Sequence, residues 1–286
     1  MDSMLPRGMK TGELIGSIPG TCRGAARKWE GCGVYLGTTD SIAGFIGATS
    51  GMKPEDFRSG LTVVSLGSTL AIKQISDRKL SDDARGVYSH VVPWSVLSDS
   101  DEAEGGGEGV AYLAGGASQA GCYVLRDLKY GDVELKELSS RLQEEQPEDY
   151  VKNLYPLPLS KVGERFPVND AAKRSNVPTE AGRLSRSALL HSVLYGIGKN
   201  VELEGYKVLR GIGGDLPFKI ISVGGGAKND FWTKLRNDLI VSWLLEQDET
   251  VGNSANVVEK GYSAWDSAAI GASLISLRSE RRREST

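Results

Sequence analysis

Asp40 is the acid whose position in the sequence is best suited to chemistry. It follows an apolar segment that ends at Gly37, and it comes directly after Thr38 and Thr39. Behind it, small and apolar residues recur at helical spacing. A carboxylate held by rigid backbone at the end of a strand could accept a proton from a substrate hydroxyl as a general base. The same position also suits the N-cap of the following helix, and the two roles are compatible.

A first glycine-containing turn could bind phosphate. Gly67, Ser68 and Thr69 lie between two apolar segments. Backbone N–H groups and hydroxyls in such a turn can face phosphate oxygens without large side chains in the way. An ordinary hairpin turn has the same composition, so the residues leave both interpretations open.

A second turn, at Gly224, Gly225 and Gly226, ends another apolar segment and leads into a helical pattern. Three glycines in a row leave room for a base or a ribose against the backbone, and they also suit tight packing between a helix and a strand. The sequence contains neither GxxxxGK[ST] nor GxGxxG. These turns are therefore not a Walker A loop or a dinucleotide-binding fingerprint.

The elements that must position these residues alternate between strands and helices from residue 33 onward. Apolar periodicity and turn residues predict a strand before Asp40, a short helix closed by Gly51, and two strands that meet at Gly67 to Thr69. Further along they predict a strand, glycine turn and helix over 112–131, then a charged helix over 132–147 and an extended proline-containing segment over 150–171. The next predicted element is a core helix that includes Leu189, Leu190, Val193, Leu194 and Ile197. A second strand, glycine turn and helix is predicted over 218–240, and a last helix over about 263–279.

This order of elements predicts an α/β fold with its glycine turns at strand ends, where such folds bind ligands. Residues 1–30 show no sustained period and are predicted to be a lead-in or linker, and the basic residues at the end of the chain are predicted to be a frayed tail. We therefore place the main domain at residues 31–280 and the tail at 281–286.

Composition excludes several classes of function. A net charge of −3 and a pI near 5.6 give no basic surface for nucleic acid or for an anionic membrane. Three widely spaced cysteines and two histidines predict neither a disulfide scaffold nor a zinc site. No apolar run approaches the roughly 20 residues of a membrane span, and the first thirty residues lack the order of a signal peptide. The predicted compartment is the reducing cytoplasm.

Six motifs, taken in order, resemble the carboxy-terminal domain of the FGGY carbohydrate kinases. They are GTTDSIAGFIGA, VVSLGSTLAI, YLAGGASQAGCYVLRDL, LYPLPLSKVGERFP, SVGGGAKNDFW and AAIGASLIS. They look most similar to the plant and cyanobacterial D-ribulose and xylulose kinase-like branch, and the resemblance covers about residues 10–278. It implies an actin-like ATPase domain of the ribonuclease H-like type, with a mixed sheet flanked by helices.

The resemblance also implies roles for individual residues in an ATP- and Mg²⁺-dependent transfer of phosphate to a small sugar, a pentulose such as D-ribulose or D-xylulose. Asp40 matches the catalytic base. Arg165, in the fourth motif, could reach a phosphate or an interface, or could fix its loop through an ion pair. The residues implied to contact the nucleotide are Gly67, Ser68 and Thr69 as the second phosphate loop, Gly115, Gly116 and Ser118 along the nucleotide side of the cleft, and Gly224, Gly225, Gly226 and Asn229 as the adenosine motif.

The chain also departs from the family pattern. An amino-terminal sugar-binding domain with a DxGTxS phosphate loop is expected to be absent, which predicts an isolated chain that is inactive or weakly active. Residues 241–262 are longer than in the family, and Asp266 stands near the place of the usual glutamate. Two functions stay open: half of a carbohydrate kinase, or a truncated, inactive nucleotide-binding or interaction module. The sequence indicates no oligomeric state, and a chloroplast location would require an upstream transit segment.

Overall fold

The computed structural model describes residues 8–21, 23–98, 109–144, 156–177, 184–247, 256–261 and 267–285. The chain divides into two compact units. The first unit comprises Met1–Phe57, Val91–Ala111 and Asp266–Thr286, and the second comprises Arg58–His90 and Tyr112–Trp265. Asp266, singled out in the sequence, lies outside the described residues.

The elements alternate as the sequence predicted. The described strands are β1 (Leu14–Ser17), β2 (Gly33–Tyr35), β3 (Leu61–Leu66), β4 (Leu70–Ser76), β5 (Tyr88–Pro93), β6 (Val110–Ser118), β7 (Lys219–Val223) and β8 (Val258–Lys260). The described helices are α1 (Asp40–Ala48), α2 (Trp94–Leu97), α3 (Tyr123–Asp127), α4 (Asp132–Glu144), α5 (Arg186–Ile197), α6 (Glu204–Gly211), α7 (Asp230–Gln247) and α8 (Ser267–Ser285).

In the first unit, α1 and α8 pack at very short range. A Cβ atom on Gly47 would lie 1.8 Å from the carbonyl oxygen of Ser267, and a Cβ atom on Gly271 would lie 1.8 Å from that of Ala43. Any larger residue at either glycine would have to push the helices apart. The small residues that follow Asp40 therefore allow α1 to pack closely against α8, besides forming α1 itself.

Both ends of the chain contain more regular structure than the sequence predicted. The expected lead-in contains β1, which pairs antiparallel with β2. The prediction of a frayed tail is wrong for the described residues, because α8 continues to Ser285. Its arginines are held by backbone oxygens of the same unit: Arg278 Nη1 donates to the carbonyls of Val96 and Leu97 at 2.6 and 3.0 Å. These acceptors lie about 180 residues away in sequence, so local pattern gave no sign of them.

The second unit is built on a six-stranded mixed sheet with the strand order β5-β6-β4-β3-β7-β8. β4 pairs antiparallel with β3 and β6, whereas β7 pairs parallel with β3 and β8. In the register, Leu66 lies opposite Leu70, which closes the β3–β4 hairpin around the first predicted turn. The parallel pairing of β3 and β7 runs through Ser65 and Val223. Both glycine turns therefore leave the same edge of the sheet.

Helices α4 to α7 contribute most of the remaining core of the second unit. The predicted core positions on α5 are buried, and a π-helical segment, Gly198–Leu203, joins α5 to α6. A fully buried ion pair connects this segment to α7: Arg236 donates to both carboxylate oxygens of Glu202. Tyr206 and Ser222 complete the network, since Tyr206 donates to Glu202 and Arg236 donates to the Ser222 hydroxyl.

Among the described residues, we find no helix that combines the length and the apolar character needed to cross a bilayer.

Candidate functional site

Three turns of the second unit converge at one edge of the sheet. The hairpin turn at Gly67 to Thr69 accepts two hydrogen bonds from the turn that follows β6. The N–H of Cys122 donates to the Gly67 carbonyl at 2.8 Å, and the N–H of Tyr123 donates to the Ser68 carbonyl at 3.3 Å. Gly121 makes this approach feasible, because a Cβ atom there would lie 2.5 Å from the Ser68 carbonyl oxygen.

The triple-glycine turn packs against the same hairpin. Gly224 has a φ of +92°, and a Cβ atom on it would lie 2.7 Å from the carbonyl oxygen of Leu66. A Cβ atom on Gly226 would lie 2.6 Å from the Trp232 ring and 3.0 Å from Cys122 Sγ. Two of the three glycines are thus required by packing. The sequence allowed tight packing or ligand room for this turn, and at these two positions the structure favours tight packing.

Gly225 differs from its two neighbours. It is exposed, and a Cβ atom there would have no heavy atom of the described residues within 4 Å. Ser68 and Thr69 are exposed as well, and within the described part of the chain their N–H groups have no hydrogen-bond acceptor. The N–H groups of Ser68 and Thr69, which are unbonded within the described residues, therefore lie at the same edge of the sheet as the exposed backbone of Gly225. Phosphate oxygens and a nucleoside suit such a surface.

Asn229 connects the triple-glycine turn to two helices. Its Oδ1 accepts from the Trp232 N–H at 3.0 Å, which is the geometry of an N-cap for α7. Its Nδ2 donates to the Ser139 hydroxyl of α4 at 2.8 Å. Both ends of the amide are therefore engaged, and the helix cap is a role that the sequence analysis did not assign to this residue.

Gly115 and Gly116 do not form the glycine turn predicted there. They lie within β6, and both are buried. A Cβ atom on Gly115 would lie 1.9 Å from the Ile72 carbonyl oxygen, and one on Gly116 would lie 2.4 Å from the Phe166 ring. The space beside these two glycines is thus filled by other protein atoms, and the turn begins only at Gln119. Nucleotide contact at the two glycines stays a prediction.

Asp40 lies in the first unit as the first residue of α1. Its carboxylate is exposed, and Oδ1 accepts from the N–H of Ser41 at 2.8 Å. Thr39 occupies the N-cap position, and its side chain makes no capping hydrogen bond. The predicted N-cap role for Asp40 is therefore wrong by one position. An acid in the first turn still interacts favourably with the helix dipole, and its second oxygen makes no hydrogen bond within the described residues.

Cys122 is a residue of this site that the sequence analysis missed. Besides its N–H bond to the hairpin, its thiol lies 3.4 Å from the Leu66 carbonyl oxygen and against Gly226. Burial raises the pKa of the thiol, with smaller opposing contributions from the Gly226 backbone and Arg126. One residue thus touches the hairpin and the triple-glycine turn. A cysteine after a glycine carries no local signal for such a position.

The second unit offers no protein-held metal centre in its described part. No group of three or more His, Cys, Asp or Glu side chains that could hold a metal ion occurs among the described residues. Mg²⁺ commonly binds through substrate phosphates with one or two carboxylates, so a resident cluster is not required for a Mg-nucleotide.

Comparison with known proteins places this geometry in a structural context. No family model matches the chain. A ligand-bound xylulose kinase from Lactobacillus acidophilus is similar, with a TM-score of 0.69 and 18% identity over 99% of this chain and 50% of that protein. The gluconate kinase of the same organism gives 0.68 and 18% over the same shares. Plasmodium falciparum glycerol kinase, solved with ADP, gives 0.65 and 14% over 95% of this chain and 47% of that protein.

These likenesses establish the fold. The chain is a mixed sheet flanked by helices with the actin-like ATPase fold of FGGY-type sugar kinases, as the sequence predicted. It spans about half the length of the solved structures that it matches.

Proposed function

We propose that the chain is the nucleotide-binding half of an ATP-dependent carbohydrate kinase of the FGGY type. The observation that carries this proposal is the convergence of the hairpin turn, the Cys122 turn and the triple-glycine turn at one sheet edge. Open backbone donors at Ser68 and Thr69 suit the phosphates of ATP, and the bare surface at Gly225 suits its nucleoside. The ADP-bound glycerol kinase among the structural neighbours supports the same reading.

In this proposal the chain binds and orients the nucleotide, and Asp40 receives the proton of the acceptor hydroxyl. Phosphoryl transfer depends mainly on positioning and on stabilising charge on the transferred group. The free donors of the hairpin would contribute to that stabilisation. Asp40 is exposed on a helix end fixed by the α1–α8 contact, which suits a positioned base. Mg²⁺ bound with ATP would neutralise phosphate charge.

For the acceptor we propose a pentulose. Xylulose kinases occur several times among the structural neighbours. Because gluconate and glycerol kinases share the same fold, the fold alone does not select the acceptor. The motifs quoted from the sequence support the D-ribulose and xylulose kinase-like branch. The partner is thus a small sugar, without nucleic acid or membrane, and the proposed location is the cytoplasm.

Nucleotide binding is tested by calorimetric titration of the chain with Mg-ATP. Gly225→Leu fills the open surface, and its Cβ meets no atom within 4 Å in the described part of the protein. We expect it to weaken ATP binding by about tenfold or more, which corresponds to about 1.4 kcal/mol. Gly211→Leu is the matched control, because Gly211 is also exposed and a Cβ atom there would also have no described heavy atom within 4 Å. Equal ATP affinity in both variants would contradict the proposed nucleotide surface.

The kinase activity is tested by ADP release in the presence and absence of D-ribulose and D-xylulose after the chain is combined with an amino-terminal sugar-binding domain, because the isolated chain is expected to be inactive or weakly active. Sugar-dependent ADP release that Asp40→Asn abolishes, with ATP affinity unchanged, supports the kinase and its base. ATP binding without sugar-dependent release supports the alternative, an inactive nucleotide-binding module. Normal release by the asparagine variant would show that Asp40 is not the base.

A further inference from the structure

Arg165 lies on a rigid backbone next to a cleft of the second unit. Its N–H donates to Glu164 Oε1 at 2.7 Å, and its carbonyl oxygen would lie 1.7 Å from a Cβ atom on Gly86. Phe166, the next residue, is fully buried. Glu164 is itself buried and accepts from the Ser118 hydroxyl at 2.6 Å. The backbone on both sides of Arg165 is therefore fixed, whereas its side chain is exposed.

The loop that carries Arg165 is fastened to the turn that forms the other side of the cleft. The Asn169 N–H donates to the Ala84 carbonyl at 3.0 Å, and Asn169 Nδ2 donates to the Asp83 carbonyl at 2.9 Å. The resulting cleft has a volume of about 350 Å³ and is lined by Arg165, Asn169, Asp83, Gly86, Val87, Tyr88 and Ala117. Small-molecule sites begin at about 300 Å³.

The guanidinium of Arg165 has no carboxylate partner among the described residues, so the loop-fixing ion pair considered from the sequence is not present there. Tyr88, its neighbour at the cleft wall, is 44% exposed. Lys73 Nζ lies 4.1 Å from the centroid of the Tyr88 ring. Lys73 is only 5% exposed, and its Nζ has no hydrogen-bond partner among the described residues. Two cations that lack an acid partner in the described part of the chain thus lie at or behind this wall, whereas Asp83 is the acid of the lining.

We propose that this cleft binds a small sugar that carries an anionic group, of the class of the sugar phosphates, with Arg165 on the anion and Asp83, Asn169 and Tyr88 toward the hydroxyls. Arg presents a planar set of donors that matches phosphate oxygens, and it keeps its charge at all working pH values. An acid, an amide and a phenol are suitable partners for sugar hydroxyls. A bare anion would be repelled by Asp83, whereas a hydroxylated anion uses both charges of the cleft. This proposal does not depend on the nucleotide site.

The test is a titration of the full chain with D-ribose 5-phosphate, inorganic phosphate and D-ribose, followed by the backbone amide signals of Val87, Ala117 and Asn169. No nucleotide is present, and the amide signals of Ser68 and Thr69 report any phosphate that binds at the nucleotide turns instead. We expect ribose 5-phosphate to bind most tightly, inorganic phosphate more weakly, and ribose without measurable affinity. Arg165→Gln is expected to weaken ribose 5-phosphate binding by about tenfold or more.

Controls separate the cleft from general charge. Arg141→Gln removes an exposed arginine on α4 and is expected to leave the affinity unchanged. Asp83→Asn is expected to improve binding of inorganic phosphate and to reduce the preference for the sugar ester. Unchanged melting temperatures would show that the variants fold. The proposal is overturned if Arg165→Gln and Arg141→Gln bind ribose 5-phosphate alike, or if the ligand shifts only signals at Ser68 and Thr69.

Discussion

Replacing the buried Lys73 by methionine is expected to stabilise the second unit. Lys73 lies on β4 opposite Gly115 and is 5% exposed. Within the described ranges its ammonium group has no hydrogen-bond partner, and burial lowers its pKa from 10.5 to about 8. Among the described residues, the contact that stabilises this charge is the Tyr88 ring. Methionine has a similar length and carries no charge, so it fills the same space without that cost.

The size of the effect follows from the pKa. The difference between 10.5 and about 8 corresponds to about 3 kcal/mol, at about 1.4 kcal/mol per pH unit. Loss of the cation–π contact offsets about 0.5 to 2 kcal/mol of this gain. We therefore expect Lys73→Met to raise the free energy of unfolding at neutral pH by about 1 to 3 kcal/mol.

The sign of the pH dependence is also fixed. Folded Lys73 loses its proton near pH 8, whereas the unfolded chain keeps it up to about 10.5. Since the unfolded state then binds more protons, the stability of the unsubstituted protein rises through this window. Below pH 8 both states are protonated and the penalty stays constant. The variant lacks this rise, so its advantage shrinks from pH 8 upward.

The assay is urea unfolding followed by tryptophan fluorescence between pH 6 and 10. Lys79→Met is the matched control, because Lys79 is exposed, and it is expected to change stability by less than about 0.5 kcal/mol. A second readout is His90, whose pKa is lowered by burial and then by the charge of Lys73. That pKa should rise in the variant. A less stable variant whose pH profile runs parallel to the unsubstituted protein would refute the reasoning.

Three further predictions concern packing and capping. Gly47→Ala should destabilise the first unit by about 1 to 3 kcal/mol, because its methyl group meets the backbone of α8. Gly44→Ala is the control, since the nearest atom to its Cβ position lies at 3.8 Å, and thermal unfolding should show a stability close to that of the unsubstituted protein. Glu202→Gln should cost about 3 to 5 kcal/mol in urea unfolding, since it leaves the charge of Arg236 buried without its partner. Asn229→Ala should cost about 1 kcal/mol through the lost N-cap, and calorimetry should show weaker ATP binding as α7 and its turn shift.

Sequence patterns predicted those parts of the fold whose cause is local. The β3–β4 hairpin, the triple-glycine turn and the core helix α5 each depend on residues within about a dozen positions of one another. Their order, together with the family resemblance, was sufficient to predict the actin-like fold that the structural comparison confirms.

The parts that sequence missed depend on distant partners. Gly115 and Gly116 look like a turn because two glycines carry no strand signal, yet Phe166 and the backbone of β4 require glycine at those places within β6. The arginines of α8 look like a solvated tail until the carbonyls of α2 are in place. At the candidate site, the packing of Gly226 against Cys122 joins segments about 100 residues apart, which no local pattern can indicate.

The most direct test of the central claim is the site of nucleotide contact. Backbone amide signals of the chain are recorded during titration with Mg-ATP, with the free N–H groups of Ser68 and Thr69 and the amide of Gly225 as reporters. The account predicts saturable shifts at these three amides, and saturation only at about tenfold or more higher Mg-ATP concentration in Gly225→Leu. Saturable ATP binding that leaves all three amides unchanged would contradict it.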